Sequence, residues 1–227
     1  MKDHFPLNDW RINDTDTKET TDWTTTESVQ LNKEDPKLLH YSADKGNILV
    51  NGLTGKTEHI ITKEEFGDIE LHLEFMISEE SNSGIYFMGR YEIQIKDSWN
   101  DEVPGPHTSG AVYPRWDTTQ PEGQEGYDGH IPRVNASRKP GEWEVFDIIF
   151  RAPRFDEQGN KIQDAEFVKV VQNGILIHQD ATITGPTRGA MFEDEVPTGP
   201  LLLQGDHGPV AYRNLMVTIN SPTPATE

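Results

Sequence analysis

The chain has 227 residues, of which 20 are Lys or Arg and 39 are Asp or Glu, so its formal net charge is −19. Such a negative field repels phosphate groups, which argues against nucleic acid and anionic membranes as partners and favours a neutral or cationic ligand. The chain has no cysteine, which excludes disulfides and thiolate metal sites, and no apolar run reaches the length of a membrane span.

The sequence divides into three stretches of different composition. Residues 1–37 are polar and rich in Thr, and we interpret them as an extended lead-in segment that Trp10 and Trp23 partly order. Residues 38–220 carry short β-like runs separated by Gly, Asn and Pro, and their length suits one domain. The tail SPTPATE, residues 221–227, is predicted to be disordered. The N-terminus lacks the apolar stretch of a signal peptide, so none is expected in this chain.

Alternation of apolar and polar residues predicts strands along most of the domain. The clearest case is IELHLEFMI, in which every second residue is apolar. Asn173-Gly174 stands between two β-like runs, which is a strong signal for a hairpin. No stretch of helical length has a sustained helical period, so the many short runs predict an all-β sandwich or barrel. The predicted strands are 47–50, 69–77, 85–88, 91–96, 143–151, 166–172, 174–178, 200–204 and 213–219.

Residues 98–142 interrupt this pattern, because they are rich in Gly, Pro and Asp and have little strand character. A loop of this length within a compact domain is usually functional or disordered. Three aromatic residues, Tyr113, Trp116 and Tyr127, favour an ordered loop. We therefore predict that this loop forms one wall of a cleft.

The stretch YEIQIK has two faces of opposite character, since its apolar residues alternate with Glu92, Gln94 and Lys96. On composition alone, the polar face is a solvated sheet surface. On a concave sheet the same face is a floor for a sugar, whose hydroxyls need the fixed donors and acceptors that amide side chains supply. Asn82, in the preceding turn, and Tyr86, in the preceding strand, are placed to face the same groove.

Two histidines lie at or just after the ends of predicted strands. His207 lies in LLLQGDHGPV, where glycines let the backbone turn tightly, and a catalytic group at such a strand end is well held and yet exposed. A hydrogen bond that stabilises the loop is the alternative role for His207. His178 ends the strand after the Asn-Gly turn. No HExxH or similar ligand pair occurs, although a divalent metal ion held by His and carboxylates from distant strands stays open.

Four further residues are candidates for the site because of their positions in the sequence. Arg90 precedes the Glu92 strand and Arg213 opens the last strand, and an Arg beside Glu92 would orient the carboxylate and lower its pKa. Trp143 suits either the core or a plate on which a sugar stacks. Lys139 is placed either at the cleft mouth or in solvent.

Six stretches together resemble one family, the 3-keto-disaccharide hydrolase domain family. They follow the order of the family across most of the chain. The resemblance implies a two-sheet antiparallel jelly roll of the concanavalin A-like lectin and glucanase type. Members of this family are commonly exported by bacteria that degrade carbohydrate, so the resemblance also implies a secreted bacterial protein. The stretches are KEEFGDIELHLEF, SNSGIYFMGRYEIQIKDS, SGAVYPRW, RKPGEWEVFDIIFRAPRF, VVQNGILIH and GPLLLQGDHGPVAYRNLMV.

The resemblance implies cleavage of an oxidised carbohydrate, a glycoside whose sugar carries a ketone at carbon 3, by hydrolysis or elimination. Such a ketone makes the proton on carbon 2 acidic, so the enzyme needs a base, an acid for the leaving oxygen and a group that stabilises the enolate. Glu92 and His207 are our candidates for base and acid, in either order, and Arg213 or a metal ion is our candidate for the enolate. The candidate substrate-binding residues are Asn82, Tyr86, Arg90, Gln94, Asp97, Lys139, Trp143 and His178.

Other functions compete with this hypothesis. A non-catalytic carbohydrate-binding jelly-roll module would need aromatic and amide side chains but no proton-transfer groups. A two-carboxylate glycosidase would need a second carboxylate about 5–10 Å from Glu92, for which Asp97 and Asp206 are available. The closely spaced alternating carboxylates of glucanases are absent from the sequence, which weakens this second alternative.

Overall fold

The structure is a computed structural model that describes residues 9–12 and 21–219. Within these residues the strand pairings are antiparallel and no α-helix is present, so the predicted all-β sandwich is confirmed. The same residues contain no helix that is long and apolar enough to cross a membrane. The tail that we predicted to be disordered lies outside the described residues.

Two large sheets form the sandwich. The five-stranded sheet contains, in spatial order, β1 (Trp10–Ile12), β6 (Ile60–Phe66), β17 (Gly199–Leu203), β8 (Asn82–Phe87) and β9 (Tyr91–Lys96). The seven-stranded sheet contains, in spatial order, β16 (Ile175–Ile183), β15 (Ala165–Gln172), β12 (Glu144–Arg151), β7 (Ile69–Ile77), β18 (Val210–Ile219), β5 (Ile48–Val50) and β2 (Thr24–Thr26).

Three two-stranded ribbons are separate from the two large sheets. They are β3 (Val29–Leu31) with β4 (Leu39–Tyr41), β10 (Arg115–Trp116) with β11 (Gly126–Tyr127), and β13 (Arg154–Phe155) with β14 (Lys161–Gln163). Leu31 and Leu39 of the first ribbon pack against Met76 and Ala211, so this ribbon covers part of the outer face of the seven-stranded sheet.

An aromatic cluster joins the two sheets. Phe87 and Tyr91 come from the five-stranded sheet, and Phe150 and Phe167 come from the seven-stranded sheet. The ring of Phe150 lies 5.0 Å from Phe87, 5.6 Å from Tyr91 and 5.2 Å from Phe167, measured between centroids. These distances are typical of stabilising aromatic pairs, and all four side chains are buried.

The polar stretch before residue 38 contributes strands to both sheets. Strand β1 pairs with β6, and β2 pairs with β5. Trp23 is buried and its indole N–H donates a 2.7 Å hydrogen bond to the carbonyl oxygen of Glu58. The stretch that we interpreted as a lead-in segment therefore supplies one edge strand to each of the two large sheets.

Local sequence signals account for the hairpin at residues 173 and 174. Asn173 and Gly174 have φ values of 52° and 81°, and the flanking Gln172 and Ile175 are paired. Positive φ at both central residues matches the twist of a two-residue hairpin, and Asn-Gly is the sequence that tolerates it best. The predicted hairpin is therefore confirmed.

One central strand escaped prediction. Strand β6 contains the charged run Lys63-Glu64-Glu65, which interrupts the alternation that marks a strand. All three residues are exposed, and the pairing of β6 with β17 shifts register at the same level. An irregularity of this kind lets consecutive residues face solvent within a strand, and the period-2 pattern therefore disappears from the sequence.

Replacing Phe150 with Ala tests the aromatic cluster. We expect a loss of about 3–5 kcal/mol in the free energy of unfolding, because a buried ring with three aromatic neighbours is removed. Urea unfolding followed by tryptophan fluorescence measures this loss. Val103→Ala, at a residue that is 79% exposed, is the control; equal stabilities for the two variants would contradict the role of the cluster.

Candidate active site

The floor of the candidate site is the outer face of the five-stranded sheet, where β17, β8 and β9 lie side by side. Backbone pairing places Tyr86 of β8 opposite Glu92 of β9, and Asn82 opposite Lys96. Because side chains alternate between the two faces of a strand, all four belong to the outer face while their neighbours enter the core. Ile93 and Ile95 are completely buried in that core, as predicted.

The long loop extends this floor beyond β9. The amide of Tyr113 donates to the carbonyl oxygen of Glu92 at 3.0 Å, and the amide of Gln94 donates to the carbonyl oxygen of Ala111 at 2.9 Å. Val112, between them, bridges to Ile93 and is buried in the core. Residues 111–113 therefore act as a further edge strand, with Tyr113 beside Glu92.

The opposite edge of the floor is formed by the end of β17 and the turn after it. The amide of Gln204 donates to the carbonyl oxygen of Gly84 at 3.0 Å, and the amide of Asn82 donates to the carbonyl oxygen of His207 at 3.2 Å. We call this edge the β17 side, and the edge with Tyr113 the loop side.

A cavity of about 420 Å³ lies over this floor. Its volume falls within the range of small-molecule sites. The cavity is lined by Asn82, Tyr86, Glu92, Gln94, Tyr113, Arg188, Gly189, Gln204 and His207. Strands β8 and β9 and both edges thus contribute to a single polar pocket.

Glu92 is a buried carboxyl group at the centre of this pocket. Its side chain is directed over Gly84, where an added Cβ atom would lie 2.2 Å from Glu92 Oε1, so only Gly leaves room for the carboxyl group. Burial raises the pKa of Glu92 to about 8, and a hydrogen bond from the Tyr86 hydroxyl opposes this shift only in part. Glu92 is therefore mostly protonated at neutral pH and is able to donate a proton.

Two amide side chains present unused acceptors to the pocket. Among the residues that the structure describes, Gln94 Oε1 and Gln204 Oε1 are buried side-chain oxygens without a hydrogen-bond partner. Leaving such an oxygen unpaired costs about 1–3 kcal/mol. Because both residues line the cavity, a ligand hydroxyl is the natural donor for each of them.

His207 is oriented by its neighbour in sequence. Its Nδ1 atom forms a short hydrogen bond with the carboxylate of Asp206. An ionised carboxylate only accepts hydrogen bonds, so the proton of neutral His207 resides on Nδ1 and Nε2 is left as a base. Asp206 Oδ1 also lies 3.8 Å from His59 Nδ1, which adds a second contact to the carboxylate.

Arg188 and Tyr113 form the wall on the loop side. The guanidinium group of Arg188 lies 3.8 Å from the ring centroid of Trp116 and hydrogen-bonds the Tyr113 hydroxyl. The amide of Arg188 donates to the carbonyl oxygen of Pro114 at 2.9 Å, which fastens its loop to the edge strand. The aromatic loop therefore lines the cavity through Tyr113 and supports Arg188 through Trp116.

The structure brings five of the predicted site residues together, namely Glu92, His207, Asn82, Tyr86 and Gln94. Three lining side chains were missed as site residues. Gln204 was detectable, because it ends an apolar strand just before His207. Tyr113 was recognised only as a loop aromatic, and Arg188, in a loop of irregular sequence, has no periodic signal.

Arg213 does not belong to this site, which corrects our assignment. It lies on β18 of the seven-stranded sheet, where its Nε atom donates to Glu74 Oε2 at 2.7 Å. Its guanidinium group lies 3.9 Å from the ring centroid of Trp143, which itself packs on the outer face of that sheet. Arg213 and Trp143 are therefore separated from Glu92 by the core of the sandwich.

Arg90 is buried, but it faces the loop around Asp194 instead of Glu92. Its Nη2 atom lies 2.6 Å from Asp194 Oδ1, and its guanidinium group stacks on Phe192. Thr187 links Arg90 to the site. Its hydroxyl donates a hydrogen bond to the Arg90 carbonyl oxygen and accepts one from the backbone amide of Glu92. Arg90 thus positions the loop that carries Arg188, and it does not lower the pKa of Glu92.

The remaining predicted residues also lie outside the cavity. Asp97 accepts the amide of Glu80 at 2.9 Å, and Lys139 is exposed in a turn. His178 donates from Nε2 to the carbonyl oxygen of Gly110 at 2.9 Å, and burial lowers the pKa of His178 to about 4. Because Gly110 also bonds to Gln94, His178 supports the edge strand from behind.

A metal centre is not evident within residues 9–12 and 21–219. There, no three His, Asp or Glu side chains converge in a way that would hold a metal ion. The cavity offers one His and one protonated carboxyl group, which is a poor ligand set for a divalent cation.

Comparison with known proteins identifies relatives of the whole chain. The profile of the 3-keto-alpha-glucoside-1,2-lyase-like domain matches residues 7–218. The structure resembles a candidate glycosyl hydrolase from Parabacteroides distasonis ATCC 8503 with a TM-score of 0.66 and 29% identity, covering 96% of this chain and 82% of that one. A second candidate glycosyl hydrolase from the same strain aligns with a TM-score of 0.51 and 20% identity, covering 87% and 99% of the two chains. A search among curated proteins gave no match.

Replacing Glu92 with Gln tests the burial of its carboxyl group. The folded pKa of about 8 lies above the usual value of 4.5 for a Glu side chain, so wild-type stability should fall as pH rises between these values, by up to about 1.4 kcal/mol per unit. Glu92→Gln removes this contribution, and the difference between the two proteins isolates it from Glu144, whose pKa is also raised, to about 7. Urea unfolding of both proteins at several pH values measures the difference, and parallel stability curves would contradict the assignment.

Proposed function

Because the chain belongs to the 3-keto-alpha-glucoside-1,2-lyase-like domain family, we propose that it cleaves 3-keto-glycosides by removing the proton on carbon 2 and expelling the substituent on carbon 1. Family membership and the similarity to a candidate glycosyl hydrolase support an enzyme that acts on carbohydrate. The ketone at carbon 3 is suggested by the family, and the acid and base of the pocket suit the reaction that such a ketone permits.

The chemistry explains why such a pocket needs no strong nucleophile. The ketone lets the electrons of the broken C2–H bond spread onto its oxygen as an enolate. Collapse of the enolate forms a double bond between carbons 1 and 2 and breaks the bond from carbon 1 to the leaving oxygen. One group must therefore accept a proton and another must donate one. Addition of water to the unsaturated keto-sugar would complete a hydrolysis.

His207 is our candidate for the base. Its Nδ1 atom is engaged by Asp206, so Nε2 is available to accept the proton from carbon 2. The carboxylate of Asp206 would also stabilise the imidazolium that forms, as carboxylates do in other His–Asp pairs. The side chain of His207 is 53% exposed, and a substrate in the cavity would shield it from water.

Glu92 is our candidate for the acid, and it is the observation that carries the proposal. A carboxyl group with a pKa of about 8 is protonated at neutral pH and is able to deliver its proton to the leaving oxygen. It lines the same cavity as His207 and occupies the space over Gly84. A module that only binds carbohydrate would have no need for a proton donor and an oriented base in one pocket.

Amide groups replace Arg213 in stabilising the enolate. Carbon 3 is bonded to carbon 2, so the ketone oxygen should lie near His207, on the β17 side. Asn82 and Gln204 line this part of the cavity, and each side chain carries an N–H donor. In other enzymes, a hydrogen-bond donor preorganised towards developing negative charge lowers the activation free energy by about 3–4 kcal/mol.

The first activity test compares a 3-keto-glucoside with its unoxidised parent, and chromatography detects the sugar product. We expect turnover of the keto-glucoside alone, because the parent has no acidic proton on carbon 2. Equal cleavage of the parent would contradict a mechanism that depends on the ketone.

Substitutions of the acid and the base test their roles. Glu92→Gln and His207→Asn should each lower kcat by about 10²–10⁴-fold, since each removes one proton-transfer group. His72→Asn is a matched control, because His72 Nδ1 lies 2.6 Å from Asp147 Oδ1 on the seven-stranded sheet, away from the cavity. Wild-type turnover in either site variant would overturn its assignment.

The pH profile tests the protonation state of Glu92. If Glu92 is the acid, kcat/KM should fall as pH rises above about 8, where its carboxyl group ionises. A base with this pKa would instead give activity that rises through the same range. Steady-state rates between neutral and alkaline pH distinguish the two outcomes.

A further inference from the structure

We propose that the leaving group of the substrate carries an anionic substituent, and that Lys96, His107 and Arg188 bind it at the loop side of the cavity. This inference rests on the proposed function, since it concerns the same pocket. It names the substrate class more closely, as a keto-glycoside with a negatively charged aglycone.

Arg188 and His107 lie beside Tyr113, and Lys96 lies further along the same edge of β9. Lys96 lies on the outer face of β9, next to Gln94 on that face and opposite Asn82 on β8. Arg188 lines the cavity and hydrogen-bonds the Tyr113 hydroxyl. The ring of His107 lies 5.6 Å from the ring of Tyr113, measured between centroids.

The charges near His107 are of one sign. Burial lowers the pKa of His107, and the positive charges of Lys96 and Arg188 lower it further. The loop side of the cavity is therefore locally positive, although the chain as a whole carries a charge of −19.

Lys96 and Arg188 lack the counter-ions that other basic residues have. Arg90, Arg154 and Lys161 form ion pairs with carboxylates at 2.5–2.7 Å. In the part of the chain that the structure describes, neither Lys96 nor Arg188 forms an ion pair with a carboxylate. Bringing like charges together is unfavourable, and an anionic ligand would relieve that cost.

The layout of the pocket assigns the anion to the leaving group. His207, which faces carbon 2, lies on the β17 side, and the carboxyl group of Glu92 lies over Gly84 in the middle of the floor. With the leaving oxygen at Glu92, the group attached to that oxygen extends away from His207. It therefore passes Tyr113 towards Arg188 and His107, which lie beside that ring.

The ketone oxygen does not account for Arg188. It is bonded to carbon 3, next to the carbon that His207 deprotonates, and the amides of Asn82 and Gln204 lie on that side. Trp116, on which Arg188 stacks, holds the guanidinium group at the opposite wall. A planar guanidinium in this position suits a carboxylate or a sulfate-type group, each of which accepts paired hydrogen bonds.

The test uses aryl 3-keto-glucosides that differ only in charge. The aglycones are 4-(carboxymethyl)phenol, its neutral carbamoylmethyl analogue and its sulfomethyl analogue, and the methylene group insulates the leaving oxygen from the substituent. We expect kcat/KM to be about tenfold higher for an anionic aglycone, which is the effect of one charge-assisted hydrogen bond. This ratio should fall as ionic strength rises. The carboxymethyl and sulfomethyl compounds distinguish the two kinds of anion, and a preference for either supports the proposal.

Substitutions test which residues cause the preference for an anionic aglycone. Lys96→Gln and Arg188→Gln should each bring the ratio of anionic to neutral kcat/KM towards one, mainly through KM. Lys169→Gln, on the seven-stranded sheet, should leave the ratio as in the wild type. A wild-type ratio of one, or a ratio that survives both site substitutions, would overturn the proposal. Cleavage of the neutral compound shows that the proposed function holds in either case, whereas failure to cleave all three compounds would refute both.

Discussion

The alternation of side chains along β9 is the constraint on which the site depends. Tyr91, Ile93 and Ile95 are completely buried between the two sheets. Their burial holds the register of the strand, because a slip by one residue would bring the charged face into the core. Glu92 and Gln94 are thereby held on the opposite face. The hydrophobic core thus sets the orientation of the residues to which we assign chemistry.

A second layer of backbone contacts converts this exposed face into a pocket. Residues 111–113 pair with β9, and the loop that carries Arg188 is fastened to Arg90 and Pro114 by backbone hydrogen bonds. These contacts exclude water from Glu92, which is only 3% exposed although it lies outside the core. The shifted pKa of Glu92 is therefore a consequence of how the loops cover the sheet.

Electrostatics divides the pocket into regions with different tasks. The β17 side holds an oriented imidazole and amide groups, the centre holds a neutral carboxyl group, and the loop side holds cations. No single strand supplies this arrangement, since His207 follows β17, Glu92 lies on β9 and Arg188 lies in a loop. A sugar lying across the three strands would meet each region with a different part of its ring.

The sequence by itself determined the β-sandwich, the Asn173-Gly174 hairpin and the separation of Glu92 and Gln94 from the apolar face of their strand. These features depend on local periodicity or on the φ preferences of single residues, which can be read without knowledge of long-range contacts. Strand β6 was missed for the same reason, because its charged run breaks the local period.

The tertiary structure alone decided which distant residues join Glu92. Sequence position favoured Arg213, and Arg188 has no periodic signal, yet β18 places Arg213 on the other sheet and the loop held by Arg90 places Arg188 in the pocket. The role of His207 likewise depends on its hydrogen bond to Asp206 and on its contact with Asn82 across strands. Such proximities arise from sheet order and loop packing, which connect residues far apart in the chain, and no pattern of neighbouring residues specifies them.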